Sequence, residues 1–228
     1  MNVEVQDWRL VRSVKNGVLR SIINGQLVSE SFSNVQVADL LGFGIQHETI
    51  EFRYALSSLW RDGVLYPVGG NGNKWALTIN DVQEAKEWLG ESLYQRTRLE
   101  KSAVGYICRN GSQYGRRGQF QKDLAMAKAE LLKLERTPLS PQTDFAIAEG
   151  RYHENLIASF GFLSANGVAG YTNQILSAMR FFPFSEDDCK KLILNHREIF
   201  KALRDRETEG AKSLVDAQAR KWLEVSKR

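Results

Sequence analysis

The segments VADLLG, residues 37–42, and FRYALSSLWRDGVL, residues 52–65, indicate two short helices close together in the chain. Apolar residues recur three and four positions apart in the second segment, and Gly42 and Gly63 follow as stop signals. Residues 8–24 show the same helical spacing ahead of Gly25. Asn34 is the expected cap of the second helix, and His47 is the expected start of the third. Three short helices in this order are typical of a helix-turn-helix unit.

A glycine-rich turn follows the third predicted helix. The stretches VLYPV and KWALT flank the turn GGNGN at residues 69–73, which predicts a β-hairpin. Three helices followed by a hairpin form the layout of a winged helix-turn-helix. The sequence therefore predicts a winged DNA-binding domain over residues 1–80.

The remainder, residues 81–228, shows helical patterns and no strand signal after Thr78. Asn80 or Asp81 is expected to cap the first helix, and RNGSQYGRRG at residues 109–118 is expected to be a loop. The predicted helices span residues 81–108, 119–136, 144–160, 167–182, 186–206 and 207–227. Six helices with short connections predict an antiparallel bundle, which gives a mostly α fold for the whole chain.

The composition limits the classes of protein to consider. The 228 residues carry a formal net charge of +4, but residues 1–80 contain seven basic and seven acidic side chains, so charge alone does not nominate them for DNA binding. No apolar run approaches the ~20 residues needed to cross a membrane. The start lacks a secretory pattern, which favours a cytoplasmic protein without a membrane partner.

Several segments together resemble a known family. VADLLG, FRYALSSLWRDGVL and the glycine-containing wing resemble the DNA-binding part of GntR-type transcription regulators. RTRLE at residues 96–100, EGRYH at 149–153 and the segment 195–218 resemble the FCD ligand-binding domain of their FadR subgroup. The resemblance implies a homodimer that binds a double-stranded DNA operator under control of a small effector, and a regulator rather than an enzyme.

The resemblance implies DNA contacts near the third helix and in the wing. Arg53 matches the arginine of the family's helix, and Lys74 belongs to the wing; a plain surface arginine and a hairpin turn are the alternatives. The turn GFGIQHETIE is about four residues longer than usual and puts Thr49 where the family has an arginine. Gln46, His47 and Thr49 are therefore the candidate base-contacting substitutes.

The FCD resemblance also implies a metal site. Glu149 and His153 lie four residues apart and share a helical face. Together with His196 they match three metal ligands of the family, while Gln218 stands where a further histidine is expected. Two histidines and a carboxylate suit a divalent metal such as Zn, Ni or Mn. A polar pocket that is hydrogen-bonded without metal is the alternative.

Arg96 matches an arginine that points into the same cavity in the family, where its fork would bind a small organic acid. Tyr152, Phe162 and Gln218 are expected to line this effector pocket. A surface ion pair of Arg96 with Glu100, four residues away, is the alternative.

Two other functions are also compatible with the sequence. One is a degenerate family member that has lost DNA binding and acts as a ligand-responsive interaction module. The other is an enzyme in which Glu149, His153 and His196 activate water on a metal.

Overall fold

The computed structural model describes residues 7–28, 30–44, 49–69, 72–112, 117–140, 142–158 and 165–227. Its N-terminal part contains three helices and a small sheet. The helices are α1 (Trp8–Ile23), α2 (Asn34–Leu41) and α3 (Ile50–Arg61), and the strands are β1 (Phe32–Ser33), β2 (Leu65–Pro67) and β3 (Lys74–Leu77). The predicted winged helix-turn-helix is therefore confirmed in its element order.

The start of α2 is fixed by a reciprocal cap. The Ser33 hydroxyl accepts from the Gln36 backbone N–H at 3.2 Å, and the Gln36 side chain accepts from the Ser33 N–H at 2.7 Å. Ser33, rather than the predicted Asn34, is thus the cap. The side-chain oxygen of Asn34 instead accepts from Trp75 Nε1 at 2.7 Å, which ties α2 to β3.

Helix α3 begins at Ile50, later than the predicted start at His47, because Thr49 is its N-cap. The Thr49 hydroxyl accepts from the Phe52 N–H at 3.3 Å. Residues 45–48 lie outside the described residues. The apolar side of α3 buries Phe52 and Leu56 in the core, as the spacing predicts.

The sheet has three strands in the order β1-β3-β2, and both pairs are antiparallel. Strands β2 and β3 form the predicted hairpin. Strand β1 was not predicted, because a two-residue strand is too short to show alternation. It pairs Phe32 with Trp75 and so places α2 directly beside the wing.

Six helices of the described residues form the predicted bundle. They are α4 (Val82–Ser112), α5 (Arg117–Arg136), α6 (Gln142–Ala158), α7 (Ala165–Ala178), α8 (Glu186–Asp205) and α9 (Thr208–Val225). Helix α4 packs against α5, α6, α7, α8 and α9, so it forms the central element of the bundle. Of the two expected caps, Asp81 serves α4: its side chain accepts from the Glu84 N–H at 2.8 Å.

Several boundaries of the bundle differ from the prediction. Helix α4 continues to Ser112, four residues beyond the predicted end, so the expected loop at residues 109–118 is partly helical. Helix α7 ends at Ala178, ahead of a turn and Pro183. Among the described helices, none combines the length and apolar character that a bilayer crossing requires.

Candidate functional site

Four helices of the bundle bring buried polar side chains together, and each of these residues is at most 3% exposed. We call them the polar cluster: Arg96 and Glu100 on α4, Glu149, Tyr152 and His153 on α6, His196 on α8, and Gln218 and Trp222 on α9. Charged side chains are almost never fully buried unless they are paired. Their concentration at one place in the bundle core therefore marks a candidate site.

Glu149 lies at the centre of the polar cluster. Its Oε1 atom lies 2.7 Å from His153 Nε2 and 3.7 Å from His196 Nε2. The same oxygen accepts a hydrogen bond from Gln218 Nε2 at 3.0 Å. The other oxygen, Oε2, lies 3.7 Å from Arg96 Nη1 and has no hydrogen-bond partner within the described part of the chain. All five predicted ligand or effector residues named here thus meet around one carboxylate.

Glu100 belongs to the site, although the sequence analysis gave it no role there. Its Oε1 atom contacts His153 Nδ1 directly. A carboxylate beside one ring nitrogen fixes the orientation of the imidazole, so that the other nitrogen, Nε2, faces Glu149. The alternative of a surface Arg96–Glu100 ion pair is wrong, because both side chains are buried. The only sequence signal for Glu100 is its place in the RTRLE segment.

Burial and paired charges determine the protonation of the cluster. Burial and Arg96 act to lower the pKa of His153, but the carboxylates of Glu100 and Glu149 outweigh them and raise it. Burial acts to raise the pKa of both carboxyls, but His153 and Arg96 more than compensate, so the pKa of Glu100 is lowered and that of Glu149 falls well below its usual value. Burial lowers the pKa of His196 to about 4. At pH 7 the site therefore contains the ionised carboxylates of Glu100 and Glu149 and the neutral imidazole of His196.

Arg96 has unused hydrogen-bonding capacity. Its Nε and Nη1 atoms have no hydrogen-bond partner among the described residues, and the same holds for the Tyr152 hydroxyl and His196 Nδ1. The guanidinium lies 5.4 Å from the centre of the Trp222 ring, whose N–H donates to Glu149. An unsatisfied buried donor costs roughly 1–3 kcal/mol. An anion that accepts from the guanidinium would remove this cost.

The donor set fits a divalent cation. Glu149, His153 and His196 each offer one ligand atom, and these atoms all lie within 4.8 Å of one another. One carboxylate and two imidazoles suit zinc, nickel or manganese. The contact of His153 with Glu100 supplies the outer carboxylate that ligating histidines commonly have.

The predicted DNA-contacting residues that the structure describes lie at the surface of the winged part. Arg53 is exposed on α3, Lys74 is exposed at the start of β3, and Thr49 is half-buried as the cap of α3. The hydroxyl of Thr49 already accepts from the helix backbone. Three predicted site residues lie outside the described residues: Gln46, His47 and Phe162.

The end of α3 is held by the bundle at a place we call the Asp62 junction. The Oδ2 atom of Asp62 accepts from Lys15 Nζ on α1 and from Asn173 Nδ2 on α7, both at 2.8 Å. The Asp62 carbonyl accepts from Gln174 Nε2 at 2.9 Å. Gly63 follows with φ +73°, and a Cβ atom built there would lie 2.5 Å from the same Gln174 nitrogen. Helix α7 thus contacts the end of α3 directly.

Helix α6 touches the winged part as well. Its residues form three side-chain pairs with α1 and its C-cap residue Asn24, each with a closest distance of 2.6 Å: Asp144 with Arg20, Thr143 with Asn24, and Arg151 with Asn16. Because α6 also carries Glu149 and His153, one helix joins the polar cluster to the winged part.

The bundle matches a known family of protein domains. The family model of the FCD domain matches residues 91–220, which is more than half of the chain. The chain belongs to the FCD-domain family. The FCD match covers α5, α6, α7, α8 and most of α4 and α9, and so includes every residue of the polar cluster except Trp222.

Solved structures share the fold over nearly the whole chain. The structure of Escherichia coli McbR/YncC has a TM-score of 0.66 at 16% identity and covers 98% of both chains. The structure of Lar, which controls the expression of the Listeria monocytogenes agr system, has a TM-score of 0.55 at 17% identity and covers 99% of both chains. A GntR-type regulator from Rhodococcus sp. RHA1 has a TM-score of 0.54 at 17% identity, covering 94% of this chain and 95% of the other. At these identities the likeness shows the fold alone.

The search of curated proteins gave no match. The predicted resemblance to GntR-type regulators with an FCD domain is confirmed by the family match and the shared fold. The family consists of transcription regulators, so the prediction of a regulator rather than an enzyme is confirmed as well.

Proposed function

We propose that the protein binds a double-stranded DNA operator as a homodimer in the cytoplasm, and that a small organic anion in the polar cluster controls this binding. The unsatisfied guanidinium of Arg96 carries the effector part of the proposal. It is 2% exposed and has two nitrogens without partners among the described residues. A carboxylate matches the fork of an arginine in shape and charge.

For DNA binding we propose a division at residue 80, with residues 1–80 contacting the operator and residues 81–228 binding effector and dimerising. Helix α3 is the recognition helix, and Arg53 is the exposed basic residue near its N-terminal end. Lys74 at the start of β3 would grip the phosphate backbone from the wing. Two-fold symmetry of the dimer would match a pseudo-palindromic operator.

For the metal, we propose Glu149, His153 and His196 as the residues that hold a divalent cation. Zinc, nickel and manganese are the candidates by ligand type. A bound cation would supply a Lewis-acid anchor for an anionic effector. Arg96 and Tyr152 would orient the remaining polar atoms of that effector through their unpaired groups.

Communication between the sites would follow the contacts of α6 and α7. Glu149 and His153 lie on α6, which also pairs with α1, and α7 holds the end of α3 at the Asp62 junction. A ligand that moves α6 therefore changes the position of the recognition helix. The coupling between effector and operator is typically about 1–3 kcal/mol in such systems.

The test is a selection of double-stranded DNA fragments by the purified full chain, followed by gel-shift titration of the selected sequence. Arg53→Ala should weaken binding roughly 5- to 150-fold, because a bidentate arginine contact is worth about 1–3 kcal/mol. Arg136→Ala is the matched control, since this exposed arginine lies at the end of α5 in the bundle. Raising salt from 50 to 200 mM should weaken binding roughly 100-fold or more.

Failure to select any sequence, with the chain folded and still binding small carboxylates, would overturn the DNA part. The ligand-responsive interaction module would then be the function. The equal numbers of basic and acidic residues in residues 1–80 are the observation that favours this second candidate.

A further inference from the structure

Gln218 lies where the candidate metal ligands converge. It belongs to α9 and is 1% exposed. Its Nε2 atom lies 2.8 Å from His153 Nε2, 3.0 Å from His196 Nε2 and 3.0 Å from Glu149 Oε1. These are the three residues that form the candidate cation site. One amide nitrogen therefore contacts every residue of the ligand set.

The surroundings of Gln218 determine which end of its amide faces the ligand set. Glu149 Oε1 is a carboxylate oxygen, and the Gln218 amide donates to it at 3.0 Å. An amide oxygen turned toward this carboxylate would place lone pairs against lone pairs, whereas the NH₂ group can donate to it. On the far side, Asn195 Nδ2 lies 3.5 Å from Gln218 Oε1 and is a donor. Both sides thus favour the nitrogen facing inward.

Asn195 is itself fixed in this orientation. Its Nδ2 atom donates to the Leu214 carbonyl at 3.1 Å, so the amide of Asn195 presents its N–H side to α9. Rotation of the Gln218 amide by half a turn would bring two NH₂ groups face to face. The residues of α8 and α9 therefore oppose the one rotation that would turn Gln218 into an oxygen ligand.

We propose that the Gln218 amide takes the place of a cation in this site and restricts entry of divalent metals. The Gln218 nitrogen lies where the three candidate ligand atoms converge and donates to Glu149 Oε1, so a metal competes with a contact that the protein already makes. This inference rests on the proposed function only in that the polar cluster is the effector site. It makes Gln218 the residue that sets metal affinity.

The experiment is a titration of the untagged, chelator-treated full chain with Ni²⁺, followed by calorimetry and by the shift in melting temperature, without DNA. Gln218→Ala should bind Ni²⁺ at least tenfold more tightly than the original chain, because the competing amide is gone. If Gln218 instead binds the metal through its amide oxygen, Gln218→Ala will bind Ni²⁺ less tightly than the original chain. Gln83→Ala is the control, since Gln83 is exposed on α4 and bonds only to Glu87 in the described residues.

An Ni²⁺ affinity of Gln218→Ala that is equal to or weaker than that of the original chain would overturn the proposal. Should this variant fail to fold, Gln218→Ser is titrated with the same expected sign. A crystal structure of the original chain soaked in Ni²⁺ then gives an independent answer. The side chain displaced from the metal supports the proposal, and Oε1 bonded to the metal contradicts it. Because no DNA is used, these outcomes are independent of whether the chain binds an operator.

Discussion

Arg96 and Glu149 place opposite charges in the interior of the bundle, with side chains 2% and 0% exposed. Their closest atoms are 3.7 Å apart, which is longer than a hydrogen bond. The pair therefore balances charge without satisfying the donors of the guanidinium. Burying a guanidinium with unpaired donors lowers the stability of the fold, and it leaves those donors available to bind a ligand.

Arg96→Met should lower the free energy of unfolding by about 3–5 kcal/mol, because Glu149 loses its nearby cation while remaining buried. Urea unfolding followed by circular dichroism measures the change. Arg98→Met is the control, since Arg98 is exposed two residues away on the same helix and should change stability by less than about 0.5 kcal/mol. If both substitutions change the free energy of unfolding by the same amount, the buried charge pair does not stabilise the fold.

Asp123 on α5 gives a prediction that depends on pH. Its side chain is buried, Oδ1 accepts from Gln119 at 2.7 Å, and Oδ2 has no partner among the described residues. Burial raises its pKa in the folded state, so the fold favours the protonated form and loses stability as the pH rises through that value. Asp123→Asn removes the charge and keeps the shape. It should stabilise the chain by roughly 1 kcal/mol at pH 7.

The gain from Asp123→Asn should shrink as the pH falls from 7 toward 4, because the carboxyl of the original chain then becomes neutral as well. Urea unfolding at several pH values tests this. A variant that is less stable at pH 7, or a gain independent of pH, would contradict the account.

For single residues, the sequence predicts which side chains belong to the candidate site better than it predicts the contacts that these side chains make. Glu149, His153 and His196 were named from their motifs, and the structure brings them together. Glu100 was missed because the spacing of four residues pairs it with Arg96 on the same helix, whereas its contact lies on α6, 53 residues away. Sequence spacing reports neighbours along one helix and does not reveal partners on another.

Helix α6 contacts the polar cluster with one face and α1 with another. Glu149 and His153 are four residues apart and face the polar cluster, whereas Asp144 and Arg151, seven residues apart, pair with α1. A helix that is polar on two faces shows a weak apolar stripe. Its existence could be predicted from the sequence, but its role as a contact between two parts of the molecule could not.

The reciprocal cap of α2 is an element whose contribution can be measured. Ser33→Ala removes the hydroxyl that accepts from Gln36 and should lower the unfolding free energy by about 1 kcal/mol. Ser13→Ala is the control, because Ser13 is exposed inside α1 and alanine is a good helix former. Thermal unfolding measures both. If the cap does not stabilise α2, Ser33→Ala will leave the free energy of unfolding unchanged.

Element boundaries were predicted less well than elements, for local reasons. Strand β1 has two residues, which is too few for a pattern, and it forms because β3 offers an open edge. Helix α4 runs on through Asn110, whose residue type favours a loop, because its side chain is buried there. Tertiary contacts overrode local preference at both places.

The Asp62 junction makes the winged part and the bundle depend on each other. Asp62→Ala would remove the partner of Lys15 and Asn173 at once. We expect the original chain to unfold in one calorimetric transition, and the variant to show an earlier, separate transition of the N-terminal part. Asp39→Ala is the control, since Asp39 is exposed on α2. An unchanged single transition in both variants would show that the contacts remaining without the Asp62 carboxylate are enough to couple the two parts.

At the level of the whole molecule the sequence predicts the two-part architecture but not the way the parts meet. The family match explains the bundle, and the helix and hairpin order explains the winged part. The polar pairs between them join residues as far apart as Asn16 and Arg151, which no local pattern reveals. The net charge of +4 was likewise uninformative, because the excess of basic residues lies in the bundle half.

Position 63 illustrates how narrowly the chain can vary during evolution. Its left-handed backbone angle disfavours any residue with a side chain, and the amide of Gln174 already fills the space a methyl group would need. A substitution there is penalised once by the local turn and again by a neighbour more than a hundred positions downstream. Lineages that replaced this glycine would have to rebuild the contact between the winged part and the bundle, so substitutions at this codon should be rarer than at the exposed Gly25.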